Sequence, residues 1–437
     1  MKLSRIVVAV AAAATVFAAA PATVASSSEA RPAAPLVLPR PAAPLVLPQP
    51  AAPLVLPQPA APLVLPQPSG RYDVGTVPLH LVDHSRLDPW VEGRHQREVM
   101  INVWYPARHT AGYPRASWLA PGEVGPVGRD FAVTLSGQPS DVPGLGAVRT
   151  HGALGAPVAE APGGHPVVLF SPGSGAERNS SSGLVEDLAS RGYVVVTIDH
   201  THDATAVEFP GGRVELNTIN ALLEQSPDDQ AAIAAKMVAT RVADARFVLD
   251  RLGALNAGSN PDAEKRPLPR GLTGALRLNR VGMAGHSMGG ATAAQVELED
   301  PRVVAGVNLD GNPYGSVVTQ GLDEPFLMVA SGNTTRENTP AWGTFEDHLR
   351  GWHHQIKVAG TEHLSYHDGV LARSALAELP GVTPEVMTQA FGTLDGRRVV
   401  DIERAYVGAF FDLHLRGQDR HLFDGASPRY PEVGFVS

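Results

Sequence analysis

Short apolar runs alternate with longer amphipathic segments along most of this chain. The apolar runs predict strands over residues 77–82, 98–105, 165–170, 193–198, 280–284, 303–309, 325–330 and 355–359. The amphipathic segments predict helices over residues 182–191, 229–255, 291–298, 342–352 and 399–415. Because strands alternate with helices after residue 165, we predict an α/β fold with a mostly parallel, doubly wound sheet and helices on both faces. The first two strands are predicted to form an antiparallel pair.

The strand at 280–284 runs into Gly285-His286-Ser287-Met288-Gly289, which fits the G-x-S-x-G pattern of a nucleophile elbow. The turn is tight, so small residues are needed at Gly285 and Gly289 while Ser287 projects from it. The following helix directs its free N–H groups and its positive dipole end toward the serine. A glycine-rich strand–helix junction can also show this string by chance. Assigning Ser287 as a nucleophile therefore depends on finding a base and an acid elsewhere in the chain.

A serine nucleophile needs a base and a carboxylate that orients the base, and in this fold they follow in the order serine, acid, histidine. His363 comes just after the strand at 355–359, where a loop reaches back over the elbow, and it is the predicted base. His367, one helical turn further on, is the alternative base.

Two strand ends compete to supply the acid. The strand at 303–309 is followed by Asp310, whereas the strand at 325–330 has no carboxylate after it until Glu337. Many hydrolases of this fold take the acid from the later strand, but that position is empty here, so Asp310 is the predicted acid. Asp310 followed by Gly311 also fits an ordinary turn.

The tetrahedral oxyanion of acyl transfer needs two N–H donors. Met288, directly after the nucleophile, is predicted to supply one. Ser174, in the glycine-rich loop 171–175 after the first parallel strand, is predicted to supply the other, although this loop also fits a simple turn. It lacks the Gly-Lys-Ser/Thr ending of a phosphate loop.

The string Asp199-His200-Thr201-His202-Asp203 is the one cluster with the residue types of a metal site. It lacks the further histidine that dinuclear hydrolases use, so we predict no metal and no other cofactor, and expect polar lining of a pocket. Only residues 311–324 separate Asp310 from the next strand, which leaves no room for a large lid. We therefore expect an open site for short esters, unless the Gly- and Pro-rich segment 111–164 or residues 201–227 cover it.

Composition narrows the class of partner. The net charge is −9 and no run of Lys and Arg is present, which argues against nucleic acid. The chain has no cysteine, so disulfides, a cysteine nucleophile and cysteine-ligated metals are excluded. Residues 1–25 have the pattern of a bacterial Sec-type signal peptide, with Lys2 and Arg5 before an apolar stretch that Pro21 ends. We therefore predict a secreted protein without a stable membrane anchor.

A nine-residue repeat, Pro-Ala-Ala-Pro-Leu-Val-Leu-Pro-Gln, begins at Pro32, Pro41, Pro50 and Pro59, with Arg40 replacing Gln in the first copy. Proline recurs too often for a helix or a sheet, so we predict a polyproline II spacer or, because each copy exposes Leu-Val-Leu, an adhesive arm. The predicted organisation is a signal peptide at 1–25, a Pro-rich linker at 26–70 and an α/β-hydrolase catalytic domain at 71–437.

From about residue 72 to residue 435 the chain resembles bacterial secreted lipases and esterases related to platelet-activating factor acetylhydrolase. The strings that carry this resemblance are Val103-Trp104-Tyr105-Pro106-Ala107, Leu169-Phe170-Ser171-Pro172-Gly173-Ser174-Gly175, Gly285-His286-Ser287-Met288-Gly289-Gly290, Asn308-Leu309-Asp310-Gly311 and Gly360-Thr361-Glu362-His363. The resemblance implies a calcium-independent α/β-hydrolase that cleaves carboxylic esters, with the sn-2 acetyl group of phospholipids as one candidate substrate. It also places the acid after the earlier strand, at Asp310. The proline repeat is not part of the family pattern.

The residues thus predict a secreted serine carboxylic-ester hydrolase that acts on a small-molecule or lipid ester through an acyl-enzyme. Three alternatives stay open. The string Gly-His-Ser-Met-Gly-Gly also occurs in cutinases and polyester hydrolases, and the same three residues serve peptidases and amidases. A non-catalytic binding protein displayed on the proline arm is the third.

Overall fold

The computed structural model describes residues 63–436, and the predicted signal peptide and the first three repeat copies lie outside them. The strands are β1 (Asp73–Leu87), β2 (Gln96–Ala107), β3 (Arg115–Ser117), β4 (Arg149–Leu154), β5 (His165–Ser171), β6 (Val194–Asp199), β7 (Ala206–Glu208), β8 (Val214–Leu216), β9 (Leu276–His286), β10 (Val303–Leu309), β11 (Phe326–Ala330), β12 (His353–Val358) and β13 (Val433–Val436). The helices are α1 (Pro121–Ser136), α2 (Ser182–Ser190), α3 (Ile219–Gln225), α4 (Gln230–Asn256), α5 (Met288–Glu299), α6 (Val317–Gln320), α7 (Pro340–Asp347), α8 (Arg373–Ala377), α9 (Pro384–Phe391) and α10 (Gly396–Arg416).

One sheet of eleven strands, in the order β13-β12-β11-β10-β9-β5-β6-β2-β1-β4-β3, organises the fold. The strands from β12 through β6 in this order are mutually parallel, and β2 pairs antiparallel with both β6 and β1. The prediction of an α/β-hydrolase fold, with a mostly parallel sheet and an initial antiparallel pair, is therefore confirmed. The carboxyl ends of β5, β6, β9, β10, β11 and β12 meet at one edge, where α/β enzymes carry their sites.

Apolar clusters fill both faces of the sheet. On one face α4 and α5 pack through residues such as Met237, Val248 and Ala291. On the other face α2 and α10 pack through residues such as Leu188 and Phe410. The helices thus cover both faces, as the alternation of strands and helices predicts.

Residues 111–164 form more than the expected loop-rich cover, because they contain the sixteen-residue helix α1 together with β3 and β4. Glycine and proline within α1, among them Pro126, dilute its apolar periodicity, which hides the helix in the sequence. Helix α1 is stabilised by contacts with the rest of the protein. Glu123 accepts a hydrogen bond from the Ala120 N–H at 2.8 Å, and Val127 and Leu135 are buried in a third apolar cluster.

The end of the proline repeat packs against the domain. Leu63 and Leu65, in the fourth copy, are buried in the same cluster as Val127 of α1. The Arg404 guanidinium donates hydrogen bonds of 2.9 Å to the carbonyl oxygens of Pro66 and Gln67. The predicted boundary between residues 70 and 71 therefore lies inside a segment that packs on the folded domain. Within residues 63–436, no helix combines the length and the hydropathy that crossing a membrane requires.

Candidate active site

Ser287 lies at a strained turn between β9 and α5. Its φ of 54° falls in the left-handed region, which is uncommon for a residue with a side chain and marks a nucleophile elbow. A Cβ atom at Gly289 would overlap the Ser171 carbonyl oxygen, and one at Gly285 would overlap the Gly289 backbone. The two glycines of the motif are therefore required by close backbone packing.

A chain of hydrogen bonds joins the three residues that the sequence predicts as serine, base and acid. The Ser287 Oγ lies 2.9 Å from Nε2 of His363, and the His363 Nδ1 lies 2.8 Å from Oδ2 of Asp310. Each group comes from a different strand end, since Ser287 follows β9, Asp310 follows β10 and His363 follows β12. The order of contacts is that of a Ser-His-Asp triad.

Asp310 is fixed by donors from the neighbouring strand end. Its Oδ1 accepts hydrogen bonds from the Ser331 N–H at 2.7 Å and from the Thr334 hydroxyl at 2.8 Å, which leaves Oδ2 for His363. Its φ of 53° is also in the left-handed region, which Asp tolerates better than most residues. The end of β11, which lacks a carboxylate, therefore supplies the groups that orient the Asp310 carboxylate after β10.

Two further histidines lie near the predicted base. His286 Nε2 lies 2.9 Å from the His363 carbonyl oxygen, and this contact, as a donated hydrogen bond, holds the backbone of His363. Burial, together with the nearby His363, lowers the pKa of His286 well below its usual value, so that His286 is neutral. His367, the alternative base, accepts a hydrogen bond from the Gly369 N–H and makes no hydrogen bond to Ser287.

The two predicted oxyanion donors lie at the same edge of the sheet. The N–H groups of Ser174 and Met288 have no hydrogen-bond acceptor among residues 63–436. Met288 is the first residue of α5, where backbone N–H groups are free and the helix dipole is positive. Ser174 lines the cavity that contains Ser287.

Arg241 of α4 holds the loop that carries Ser174, a role that could not be predicted from the sequence. Its guanidinium donates to the carbonyl oxygens of Pro172 at 2.6 Å and of Gly173 at 3.0 Å. Asp203 accepts from the same guanidinium at 2.7 and 2.8 Å. Burial alone raises the pKa of Asp203, but the charge of Arg241 lowers it below its usual value. The buried pair is therefore ionised. A long-range contact of this kind leaves no local pattern in the sequence.

Side chains of residues 199–203 form hydrogen bonds and ion pairs with other parts of the protein. Asp199 pairs with Arg178, and Asp203 with Arg241. His200 lies between the Ser171 hydroxyl at 2.9 Å and the Asp244 carboxylate at 3.0 Å. His200 and Asp203 thus support the loop 171–175, while Thr201 and His202 line a separate cavity that does not include Ser287.

A cavity of about 200 Å³ contains Ser287 and His363. Its apolar wall comes from Val127 and Phe131 of α1 and from Phe391 of α9. Segment 111–164 therefore covers the site, with Thr205 and Asn220 of segment 201–227 also lining it. The site is therefore not open, because both segments that could cover it according to the sequence line the cavity.

Comparisons with known proteins identify the family of this chain. The sequence profile of the family described as platelet-activating factor acetylhydrolase, isoform II, matches residues 61–412. The chain belongs to this family. A probable 1-alkyl-2-acetylglycerophosphocholine esterase from Arthroderma benhamiae is 29% identical over 290 residues, which are 62% of this chain and 66% of that protein. The platelet-activating factor acetylhydrolase of Cavia porcellus is 25% identical over 180 residues, which are 38% of this chain and 40% of that protein.

A solved structure is also similar over nearly its whole length. The ferulic acid esterase from Streptomyces cinnamoneus superposes with a TM-score of 0.70 at 36% identity, and the match covers 85% of this chain and 99% of that one. The chain spans less than two thirds of the length of the curated relatives above, at 66% and 40%. Fold and family are thus those of carboxylic ester hydrolases.

Proposed function

We propose that this protein hydrolyses carboxylic esters through an acyl-enzyme on Ser287. The observation that carries the proposal is the continuous hydrogen-bond chain from the Ser287 Oγ through His363 to Asp310, with distances of 2.9 and 2.8 Å. His363 Nε2 accepts the serine proton as Oγ attacks the ester carbonyl. Asp310 holds the Nδ1 proton and stabilises the imidazolium that forms.

The remaining steps use backbone donors and the same base. The N–H groups of Ser174 and Met288 bind the oxyanion of the tetrahedral intermediate. His363 then protonates the leaving alcohol, which yields the acyl-enzyme, and activates a water that releases the acid. Because His286 is neutral, it adds no positive charge beside the His363 imidazolium.

The size of the cavity supports small esters. An apolar cavity of about 150 Å³ holds a benzene molecule, so one of about 200 Å³ accepts a short acyl chain or a single aromatic ring. An acetyl group, as in the names of the curated relatives, and an aromatic acid, as in the name of the structural neighbour, both meet this limit. The cover formed by α1 weighs against a polyester chain as substrate.

Ser287→Ala tests the proposal. Turnover of p-nitrophenyl acetate should fall by roughly 10³-fold or more, with an unchanged circular dichroism spectrum. Retained turnover would exclude Ser287 as the nucleophile. The same assay, run with a matched amide and with a polyester film, separates the esterase from the amidase and the polyester hydrolase.

We also propose that the protein is secreted, on the pattern of residues 1–25. Expression in a bacterial host, followed by N-terminal sequencing of protein from the medium, tests this. The expected first residue is Ser26, and a product that keeps Met1 inside the cell contradicts it.

A further inference from the structure

A carboxyl group without a partner lines the active-site cavity. Glu177 is 3% exposed, and its Oε1 has no hydrogen-bond partner among residues 63–436. The residue follows Ser174 by three positions and lines the same cavity as Ser287. Buried polar groups in folded proteins nearly always have a partner, so this one calls for an explanation.

The carboxylates of Glu123 and Asp199, close to Glu177, have hydrogen-bond partners of their own. Arg178 donates to Glu123 at 3.2 Å and pairs with Asp199. Glu123 also accepts from the Glu208 N–H, and Asp199 from the Arg178 N–H. The local cation and these backbone donors are therefore used by other acids.

Burial of Glu177 favours the neutral carboxylic acid form of its side chain. Burial, with the charges of Glu123 and Asp199 close by, raises its pKa well above the usual value for a glutamic acid. A protonated carboxyl group has both an O–H donor and a carbonyl acceptor. A substrate hydroxyl also has one donor and acceptor lone pairs, so the two groups are complementary.

A second carboxyl group, Asp130 of α1, lines the same cavity. Burial raises the pKa of Asp130 as well. The polar side chains of Thr134 and Asn220 also line this cavity. The wall of the cavity is thus apolar in part and carries two carboxyl groups that the triad and the oxyanion donors do not use.

We propose that Glu177 and Asp130 form a subsite that hydrogen-bonds a hydroxyl group of the substrate. The enzyme then prefers esters whose acyl or alcohol part carries a hydroxyl group. This inference rests on the proposed ester hydrolysis and names its substrate class. A site built to hydrogen-bond a substrate hydroxyl rejects the analogue that lacks it, because its own buried groups are then left unpaired.

Two pairs of substrates test the subsite in the unmodified protein. Methyl 4-hydroxycinnamate and methyl cinnamate differ by one hydroxyl group in the acyl part. In the alcohol part, 2-hydroxyethyl acetate has a hydroxyl group where propyl acetate has a methyl group. For at least one pair, kcat/KM should be about 10- to 100-fold higher for the hydroxyl-bearing ester, the range that corresponds to leaving one buried polar group unpaired. Equal or lower values for the hydroxyl-bearing member in both pairs overturn the inference.

Variants identify the residues responsible. Glu177→Leu should lower the preference to about one, while Glu177→Gln, which keeps a donor and an acceptor, should retain part of it. Asp130→Asn should lower it less, and Asp141→Asn, an exposed carboxylate outside the cavity, should leave it unchanged. An unaltered preference in all three cavity variants contradicts the assignment. Ionised carboxylates would instead bind a cation, so a larger preference for acetylcholine over its uncharged analogue 3,3-dimethylbutyl acetate also contradicts it. Ester turnover that persists in Ser287→Ala defeats the proposed function itself, which is a separate outcome.

Discussion

The backbone N–H of Ser331 donates a hydrogen bond of 2.7 Å to Oδ1 of Asp310, so the end of β11 orients the acid carried by β10. The hydroxyl of Thr334 adds a second donor to the same oxygen at 2.8 Å. In this protein the later strand end therefore positions the carboxylate of the earlier one. The ends of β10 and β11, either of which could carry the acid according to the sequence, are therefore joined by hydrogen bonds in the fold.

Thr334→Val should lower kcat about five- to tenfold with little change in KM. The variant removes one charge-assisted hydrogen bond from Asp310, so the carboxylate holds His363 less firmly. Steady-state kinetics with p-nitrophenyl acetate measures the effect. Thr344→Val, on the exposed face of α7, is the matched control, and an equal loss in both variants would argue against a role for Thr334.

Arg241→Lys should lower kcat by roughly 10- to 100-fold, because a lysine cannot donate to Pro172, Gly173 and Asp203 in the same fork geometry. The loop that carries the Ser174 N–H then loses its support, and one oxyanion donor is worth about 10²-fold or more. Arg246→Lys, on the same helix but half exposed, should change kcat little. A loss confined to KM would show that Arg241 does not act through the oxyanion donors.

Stability should fall as the pH is lowered from 6.5 to 4 in part because of His200. Burial, with the nearby charge of Arg241, lowers the pKa of His200 from 6.5 to about 4 in the folded protein. Below pH 6.5 the unfolded chain binds a proton that the folded chain does not bind until about pH 4, so protonation favours unfolding across this window.

His200→Gln removes this titration. Relative to the variant, the parent should lose up to about 3 kcal/mol of unfolding free energy between pH 7 and pH 4. Urea denaturation at several pH values measures the difference. The exposed His84→Gln should follow the parent curve, and parallel curves for parent and His200→Gln would contradict the account.

Leu65→Ala should destabilise the domain by about 2 kcal/mol or more, since Leu65 is 3% exposed in the cluster beside α1. Val64→Ala, one residue earlier and 54% exposed, should change the melting temperature little. Differential scanning calorimetry of both variants gives the comparison. Equal melting temperatures would mean that the last repeat copy does not contribute to the folded domain.

The sequence predicts the parallel strands, the elbow and its partners because each has a local pattern. The strand Val303–Leu309 has the predicted bounds, and Asp310 and His363 lie beside Ser287. Helix α1 is hidden by its glycines and Pro126, and β13 is only four residues long. Arg241 and Glu177 gain their significance from residues far away in the chain, which one sequence does not reveal.

The most direct test is mass spectrometry of the protein after inactivation by diethyl p-nitrophenyl phosphate, which phosphorylates an activated serine. We predict one diethylphosphoryl group per molecule, located on Ser287, with loss of ester turnover in proportion to labelling and no labelling of His363→Ala. Labelling of another serine in proportion to the lost activity, or full inactivation without a label on Ser287, would contradict the account.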